Sequence, residues 1–142
     1  MRGIDVHMLM QGLAARRPVF HSEADFQHAL AWRVHELSPK SAIRLEYRVT
    51  AISDPTYLDI WVALGQARMA IELKYKTKVL GCEVKGEDFD LRDQAAQDLA
   101  RYDFLWDIQR LEAVRRALKN FRGWSILLTN DSSYWKQSTR QM

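Results

Sequence analysis

The chain has 142 residues, of which 47% are hydrophobic and 27% charged, the composition of one ordinary globular domain rather than of a disordered, collagen-like or coiled-coil chain. Its single cysteine, Cys82, excludes an internal disulfide, a CxxC redox pair and a zinc cage, and no apolar run approaches the roughly 18 residues of a membrane span. We therefore expect a cytoplasmic protein without a membrane partner, whose net charge of +3 is compatible with a polyanion but does not demand one.

The amino-terminal part predicts two helices and a strand. A short amphipathic stretch at residues 5–15 predicts a helical extension within residues 1–20. Ser22, with Asp25 three residues later, is a capping box, and apolar residues at helical spacing predict a helix from there to Ser38. Residues 43–49 alternate between apolar and charged side chains, which predicts a half-buried strand.

The remainder predicts two hairpins, a helical region and a last strand. Residues 57–64 and 68–75 flank Gly65-Gln66 and predict a tight hairpin, and residues 79–84 and 87–91 predict a smaller one. Residues 93–120 have apolar side chains at helical spacing, which predicts either one helix or two. Residues 124–129 predict a buried strand before a tail at residues 130–142, and together these elements predict a single α/β domain.

The first hairpin places two carboxylates together. If Gly65 and Gln66 form a two-residue turn, Asp59 lies directly opposite Glu72. Such opposed side chains share a face with their β-carbons roughly 5 Å apart, and like charges at that spacing need a positive group between them. A divalent cation with oxygen ligands meets this need, so the pattern predicts a cation site, with Lys74 on the same face.

The two faces of this hairpin have different predicted roles. One is expected to be core and collects Leu58, Ile60, Val62, Leu64, Met69, Ile71, Leu73 and Tyr75. On the other face, Trp61 is the aromatic residue expected to pack beside a site or against a base. Lys76 and Lys78 extend the alternation beyond Lys74 into a basic stripe that attracts a phosphate backbone. Arg68 on this face, with Gln94 and Arg101 on one side of the long helix, completes the predicted nucleic-acid-binding set.

A third carboxylate is expected from the capped helix. Glu23 and Gln27 lie close to the apolar stripe at about 100° per residue, and an inward glutamate needs a partner to offset its desolvation. The alternative for Glu23 is an acid favoured at a helix start by the macrodipole. The alternative for Asp59 and Glu72 is a solvent-exposed strand face on which Lys74 and Arg68 partly neutralise the two acids.

This order of elements resembles the PD-(D/E)xK nuclease superfamily over residues 22–129. The likeness is carried by a helix with Glu23, Asp59 at the start of a hairpin and Glu72-x-Lys74 at its far end. It implies a restriction-endonuclease-like core, a mixed β-sheet flanked by helices in the order α-β-β-β-α-β. The stretches Glu72-Leu-Lys-Tyr-Lys-Thr and Gln97-Asp-Leu-Ala-Arg-Tyr-Asp-Phe also resemble an uncharacterised bacterial group associated with that superfamily. Leu58 stands where the family name has proline.

The resemblance implies Mg²⁺-dependent hydrolysis of phosphodiester bonds in DNA, with Mn²⁺ able to substitute. It implies that Asp59, Glu72 and the Leu73 carbonyl hold the metal and that Glu23 completes its shell. Lys74 would position or deprotonate the attacking water and stabilise charge on the phosphate. A homodimer would suit cleavage of both strands, although no self-complementary patch argues for one. The alternatives are an inactive nuclease-fold module that binds nucleic acid or a protein partner, and a purely structural domain.

Overall fold

Two helices precede the sheet, and each begins at a capping side chain. The structure is a computed structural model that describes residues 4–54, 56–94 and 97–134. Helix α1 (Val6–Arg16) follows Asp5, whose carboxylate accepts hydrogen bonds from two backbone N–H groups of the first turn. Helix α2 (Glu23–Leu37) follows Ser22, whose hydroxyl accepts a hydrogen bond from the Asp25 N–H at 3.1 Å. Both predicted helices are confirmed.

A four-stranded mixed sheet forms the centre of the fold. The chain forms β1 (Ala42–Val49), β2 (Thr56–Leu64), β3 (Ala67–Lys76), β4 (Leu80–Val84), β5 (Glu87–Leu91), α3 (Gln97–Ala117) and β6 (Phe121–Thr129). The order in the main sheet is β1-β2-β3-β6, in which only the β3–β6 pair is parallel. A parallel neighbour requires a crossover, and α3 lies within it. The protein is thus a mixed α/β structure with helices flanking a mixed sheet.

Both predicted hairpins are confirmed, including the register of the first. Leu64 pairs with Ala67 and Ile60 with Ile71, and Gly65 has a φ of +57° at the turn. In the β4–β5 hairpin, Lys85 and Gly86 both have positive φ, as the tight turns favoured by strand twist require. The smaller hairpin forms its own two-stranded sheet.

Helices cover both faces of the main sheet, so the predicted polar face is also buried. Phe26 and Leu30 of α2 pack with Ile71 on one face, while Val114 of α3 packs with Ala70 on the other. The expectation that Trp61 lies beside a site was wrong. It is buried and stacks with Tyr47 and Phe121, with ring centroids 4.4 and 6.0 Å away.

The prediction that Leu58 shares the face of Ile60 was also wrong. Leu58 belongs to the core beneath α3, whereas Ile60 belongs to the core beneath α1 and α2. Glu46 of the neighbouring strand has a φ of +51°, and the β1–β2 pairing skips this position. Ile43 and Tyr47, on either side of Glu46, likewise pack on opposite faces. The irregularity at Glu46 therefore coincides with a change of face at the start of β2.

The boundaries near the carboxyl terminus differ in detail from those predicted. The long pattern forms one helix rather than two, and β6 begins at Phe121, three residues earlier than expected. Gln94 precedes the helix instead of lying on it, because its backbone and side chain bond to Thr77. Residues 1–3 of the extension and 135–142 of the tail lie outside the described residues. Within the described ranges, every helix is too short or too polar to cross a bilayer.

Candidate metal centre

Strands β2 and β3 separate where the two predicted carboxylates lie. Their backbone pairing ends at Ile60 and Ile71. At the next positions, side chains instead of backbone carbonyls accept the hydrogen bonds. The Asp59 N–H donates to Glu72 Oε1 at 2.9 Å, and the Leu73 N–H donates to Asp59 Oδ2 at 2.7 Å. The two carboxylates thus replace the missing rungs of the ladder, which satisfies backbone groups that would otherwise be unpaired.

Glu23 reaches the same edge of β3. Its Oε2 accepts a hydrogen bond from the Tyr75 N–H at 3.1 Å, although the side chain remains exposed. The Tyr75 hydroxyl in turn donates to the Phe20 carbonyl at 2.9 Å, and this contact holds the segment before α2 against the strand. The sequence left open whether the first turn of α2 reaches the acidic end of the hairpin, and the structure places it there.

Gln27 and Glu46 belong to this cluster and were not identified as site residues from the sequence. The Gln27 side-chain amide donates to the Asp59 carbonyl at 2.8 Å and to Glu46 Oε1 at 3.0 Å. The position of Gln27 one turn after Glu23 was an available signal. Glu46 carried none, because regular alternation put it on a solvated face and its positive φ is a tertiary feature.

Helix α3 supplies two further charged residues, Asp107 and Arg110. Asp107 Oδ2 lies 2.8 Å from the Lys74 ammonium, and Arg110 bonds to Asp107 and, at 3.2 Å, to Glu72 Oε2. Asp107 is only 1% exposed and Glu72 only 2%, so these charges are largely removed from water. The available signal was the helical spacing that places Asp107 in line with the buried residues Leu111 and Val114.

Asp59 and Glu72 have pKa values above the usual range of their side chains. Burial, together with the charges of Glu46 and Glu23, raises the pKa of Asp59 to about 6 despite the opposing Leu73 hydrogen bond. Burial and the charge of Asp59 raise the pKa of Glu72 to about 8. Burial is the largest cause of both shifts, and the charges of neighbouring acids add to it.

The pKa of Lys74 is raised. Burial on its own would lower this pKa, but the hydrogen bond and charge of Asp107 outweigh burial, with help from Glu23 and Asp59. The ammonium is therefore held in its charged form beside the carboxylates, with its side chain 17% exposed.

The carboxylate oxygens of Asp59, Glu72 and Glu23 are suitable ligands for a hard divalent cation. They do not, however, point toward one common position. Carboxylate oxygens are what Mg²⁺ and Mn²⁺ prefer, and the hydrogen bonds of the described residues occupy one oxygen each of Asp59 and Glu23. No three His, Cys, Asp or Glu side chains in the described ranges come close enough to form a finished metal site. Asp59 and Glu23 accept hydrogen bonds from the backbone of β3, and Glu72 bonds to the Asp59 N–H and to Arg110. Metal binding therefore requires these side chains to rotate toward a shared ion.

The residues predicted to bind nucleic acid fall into two places: Lys76, Lys78, Gln94 and Arg101 contact residue 77 or residues 129–133, and Arg68 lies at the other end of β3. Lys76 ends β3 and is half-buried, while Lys78 lies 3.4 Å from Asp131 instead of extending a free basic stripe. Gln94 bonds to Thr77, as described above. Arg101 donates to the Ser133 carbonyl at 2.8 Å. Arg68 donates to backbone carbonyls of the β2–β3 turn, at the opposite end of β3 from Lys74.

A cleft opens beside Glu23, between the start of α2, the end of β3 and the β4–β5 hairpin. Its volume is about 530 Å³, and Asp88, Asp90 and Arg92 are among its lining residues. His21 stacks on Phe89 with ring centroids 4.2 Å apart and bonds to Glu87, so the hairpin is fastened to α2 across this cleft. Among the carboxylates of the candidate metal centre, Glu23 lines this cleft.

Comparison with known proteins adds no assignment. No protein-family model matches the chain, and neither a curated protein nor a solved structure is significantly similar to it.

Proposed function

We propose that this protein is a Mg²⁺-dependent nuclease with a restriction-endonuclease-like core that hydrolyses phosphodiester bonds in DNA. The observation that carries the proposal is the parting of β2 and β3 at Asp59 and Glu72, with the Lys74 ammonium on the same side of β3. Apart from α1 and the β4–β5 hairpin inserted between β3 and α3, the elements α2-β1-β2-β3-α3-β6 follow the order that the superfamily resemblance implies.

The charge balance supports a role in holding a cation. Asp59, Glu23 and Glu46 receive hydrogen bonds from two backbone N–H groups and one amide, whereas the cations Lys74 and Arg110 bond to other carboxylates. A purely structural sheet has no need to gather three acids here, because each raises the electrostatic cost of the others. A divalent ion would offset that cost.

Each residue then has a defined role. Asp59 and Glu72 would hold Mg²⁺, and Glu23 would hold it directly or through a water molecule. The bound ion supplies Lewis-acid activation of the phosphate and of water. Lys74, kept charged by Asp107, would orient the attacking water and stabilise negative charge developing on the phosphate oxygens. Asp107 and Arg110 act through Lys74 and Glu72 and are positioning residues.

The second candidate is an inactive module that binds nucleic acid. It is favoured by the network of Glu72, Arg110, Asp107 and Lys74, in which two acids and two bases compensate each other without a metal. In such a module the cluster would serve only to close the gap between β2 and β3. Metal dependence therefore separates the two candidates.

The first experiment is a supercoiled-plasmid nicking assay. We expect the wild type to nick DNA with Mg²⁺ or Mn²⁺ and to be inactive in EDTA, and the Lys74→Ala variant to be inactive in all three. Lys85→Ala is the matched control, because Lys85 belongs to the other Glu-x-Lys triplet, at the β4–β5 turn. Equal nicking by the wild type and Lys74→Ala would assign the cleavage to a contaminant or another site and overturn the proposal.

The second experiment measures metal binding directly by thermal shift and calorimetry with Mg²⁺ and Mn²⁺. We expect a saturable response in the wild type and in Lys74→Ala, and none in Asp59→Asn, which keeps an oxygen acceptor for the Leu73 N–H. Absence of any response in the wild type, combined with DNA binding in EDTA, would favour the inactive module.

A further inference from the structure

A concentration of positive charge lies at the end of the sheet opposite the candidate metal centre. We call it the basic end, defined by Arg68, Arg115, Arg116, Lys119 and Arg122. It includes the start of β3, the last turn of α3 and the start of β6, which are adjacent because Arg68 pairs with Phe121. Arg68 is half-buried, and the other four residues are exposed.

The basic end accounts for the net charge of the whole chain. It holds five cations, and Glu112 is the acid that lines a cleft with two of them, whereas the complete sequence carries only +3. The rest of the protein is therefore slightly acidic. The excess of positive charge at the basic end attracts a polyanion to this part of the protein.

The exposed members of the basic end are not committed to internal contacts. Within the part of the chain that the structure describes, the side chains of Arg115, Arg116, Lys119 and Arg122 form neither ion pairs nor hydrogen bonds. The helix macrodipole accounts for Arg115 and Arg116 in the last turn of α3, but Lys119 and Arg122 lie beyond it. By contrast, Lys74, Lys78 and Arg110 are each paired with an acid.

Shallow clefts between these cations could receive phosphate groups. Arg115 and Arg122 line a cleft of about 530 Å³ that also contains Glu112 and Ser125. Arg68 and Lys119 line a neighbouring one of about 400 Å³. Four of the five cations therefore line clefts in the surface.

The spacing between the basic end and the candidate metal centre suits a nucleic-acid duplex. Arg115 is eight residues from Asp107 on α3, about 12 Å at the helical rise. Arg68 is six residues from Lys74 on β3, about 20 Å at the strand rise. At 3.4 Å per base pair, these lengths correspond to roughly four to six base pairs.

We propose that the basic end binds the phosphate backbone of duplex DNA four to six base pairs from the bond at the metal centre. This inference rests on the proposed nuclease function for the identity of the polyanion. The contacts are to phosphate and carry no sequence information. A substrate too short to span this distance loses the contribution of the basic end.

The test compares two double variants that remove equal charge. Arg115→Gln/Arg122→Gln changes the basic end, and Lys40→Gln/Lys85→Gln changes exposed cations before β1 and at the β4–β5 turn. Fluorescence anisotropy with a labelled 20-base-pair duplex in EDTA gives the dissociation constant between 50 and 200 mM KCl. We expect the slope of log affinity against log salt to fall by about 2 in the basic-end variant and to stay unchanged in the control.

A second measurement separates this inference from the proposed function. Hydrolysis of bis(p-nitrophenyl) phosphate with Mn²⁺ uses no contact beyond the metal centre, so the basic-end variant should retain the wild-type rate. If the wild type fails to nick plasmid DNA with Mg²⁺ or Mn²⁺ but the salt slope still falls in the basic-end variant, the nuclease proposal fails and the basic end stands as a DNA-binding surface. An unchanged slope in the basic-end variant, or an equal fall in both variants, would overturn the inference.

Discussion

The two ends of β3 are built in different ways. At the Gly65 end the β2–β3 ladder is continuous, and every rung from Ile71 to Ala67 joins backbone to backbone. At the other end the rungs are made by carboxylates of Asp59, Glu72 and Glu23. At one end β2 and β3 form an ordinary hairpin, and at the other end carboxylate side chains bond to the backbone where the two strands no longer pair.

The difference shows that the acidic end has a structural duty as well as a proposed chemical one. Backbone N–H groups of Leu73 and Tyr75 need acceptors once β2 has turned away, and carboxylates provide them. Burial and, to a smaller extent, repulsion by neighbouring acids raise the pKa values of Asp59 and Glu72. Changes at this end should therefore be felt in stability, in metal response or in both, whereas changes at the turn should affect stability alone.

The largest expected effect follows from removing the charge of Asp107. Asp107→Asn leaves Lys74 and Arg110 close together without their shared anion, and breaking such a buried network costs roughly 3 kcal/mol of unfolding free energy. Urea denaturation measures the loss. Glu112→Gln, on the exposed side of the same helix, should change stability by no more than about 0.5 kcal/mol, and equal losses in both variants would refute the buried network.

A smaller effect is expected from Glu23→Gln, which keeps an oxygen acceptor for the Tyr75 N–H but removes the charge. Folding should be retained, while the apparent Mg²⁺ affinity in nicking assays should fall by about 10- to 100-fold, the usual range for residues that support metal ligands. Glu36→Gln, which removes an acid from the far end of α2, is the control. Wild-type metal dependence in Glu23→Gln would remove this residue from the site.

The pH dependence of stability should report Glu72 in the metal-free protein. Between its ordinary pKa of 4.5 and the folded value of about 8, the folded protein keeps the proton and the unfolded chain releases it. Stability must therefore fall as pH rises through this window, and Asp59 adds the same trend up to about pH 6. Urea titrations in EDTA measure the slope. Glu72→Gln should flatten it between pH 6 and 8, and an unchanged slope would contradict the assignment.

The smallest effect is expected at the turn. Gly65 has a φ of +57°, and an added β-carbon would meet no atom within 4 Å, so Gly65→Ala carries only the conformational cost of about 1 kcal/mol. Thermal denaturation measures this loss. Nicking activity should remain at the wild-type level, because β6 also fixes β3 along its length. A loss of activity here would mean that the two ends of β3 are not independent.

Much of the architecture was readable from local patterns. The Ser22 cap, the period-two alternation and the Gly65 turn are determined by a few neighbouring residues, and each predicted element formed. The register of the first hairpin also followed from the turn to the pair of Ile60 and Ile71, because pairing near a turn depends only on counting from it.

Local sequence patterns did not predict the burial of the sheet face beneath α3 or the partners of Lys74. Asp107 is 33 residues from Lys74, and nothing local specifies how α3 crosses the sheet. Glu46 has a positive φ, which depends on the surrounding structure, and it lies opposite the start of β2, where the strand changes face. It also misled the prediction for Leu58.

The sequence by itself determined the elements, the hairpin register and the identity of the central acids and lysine, since these depend on short-range geometry and periodicity. Only the tertiary structure decided that the strands part at Asp59, that Asp107 and Arg110 enclose Lys74 and Glu72, and that the cations collect at the other end. Those features depend on how distant segments share one small volume, where desolvation and charge depend on every neighbour at once.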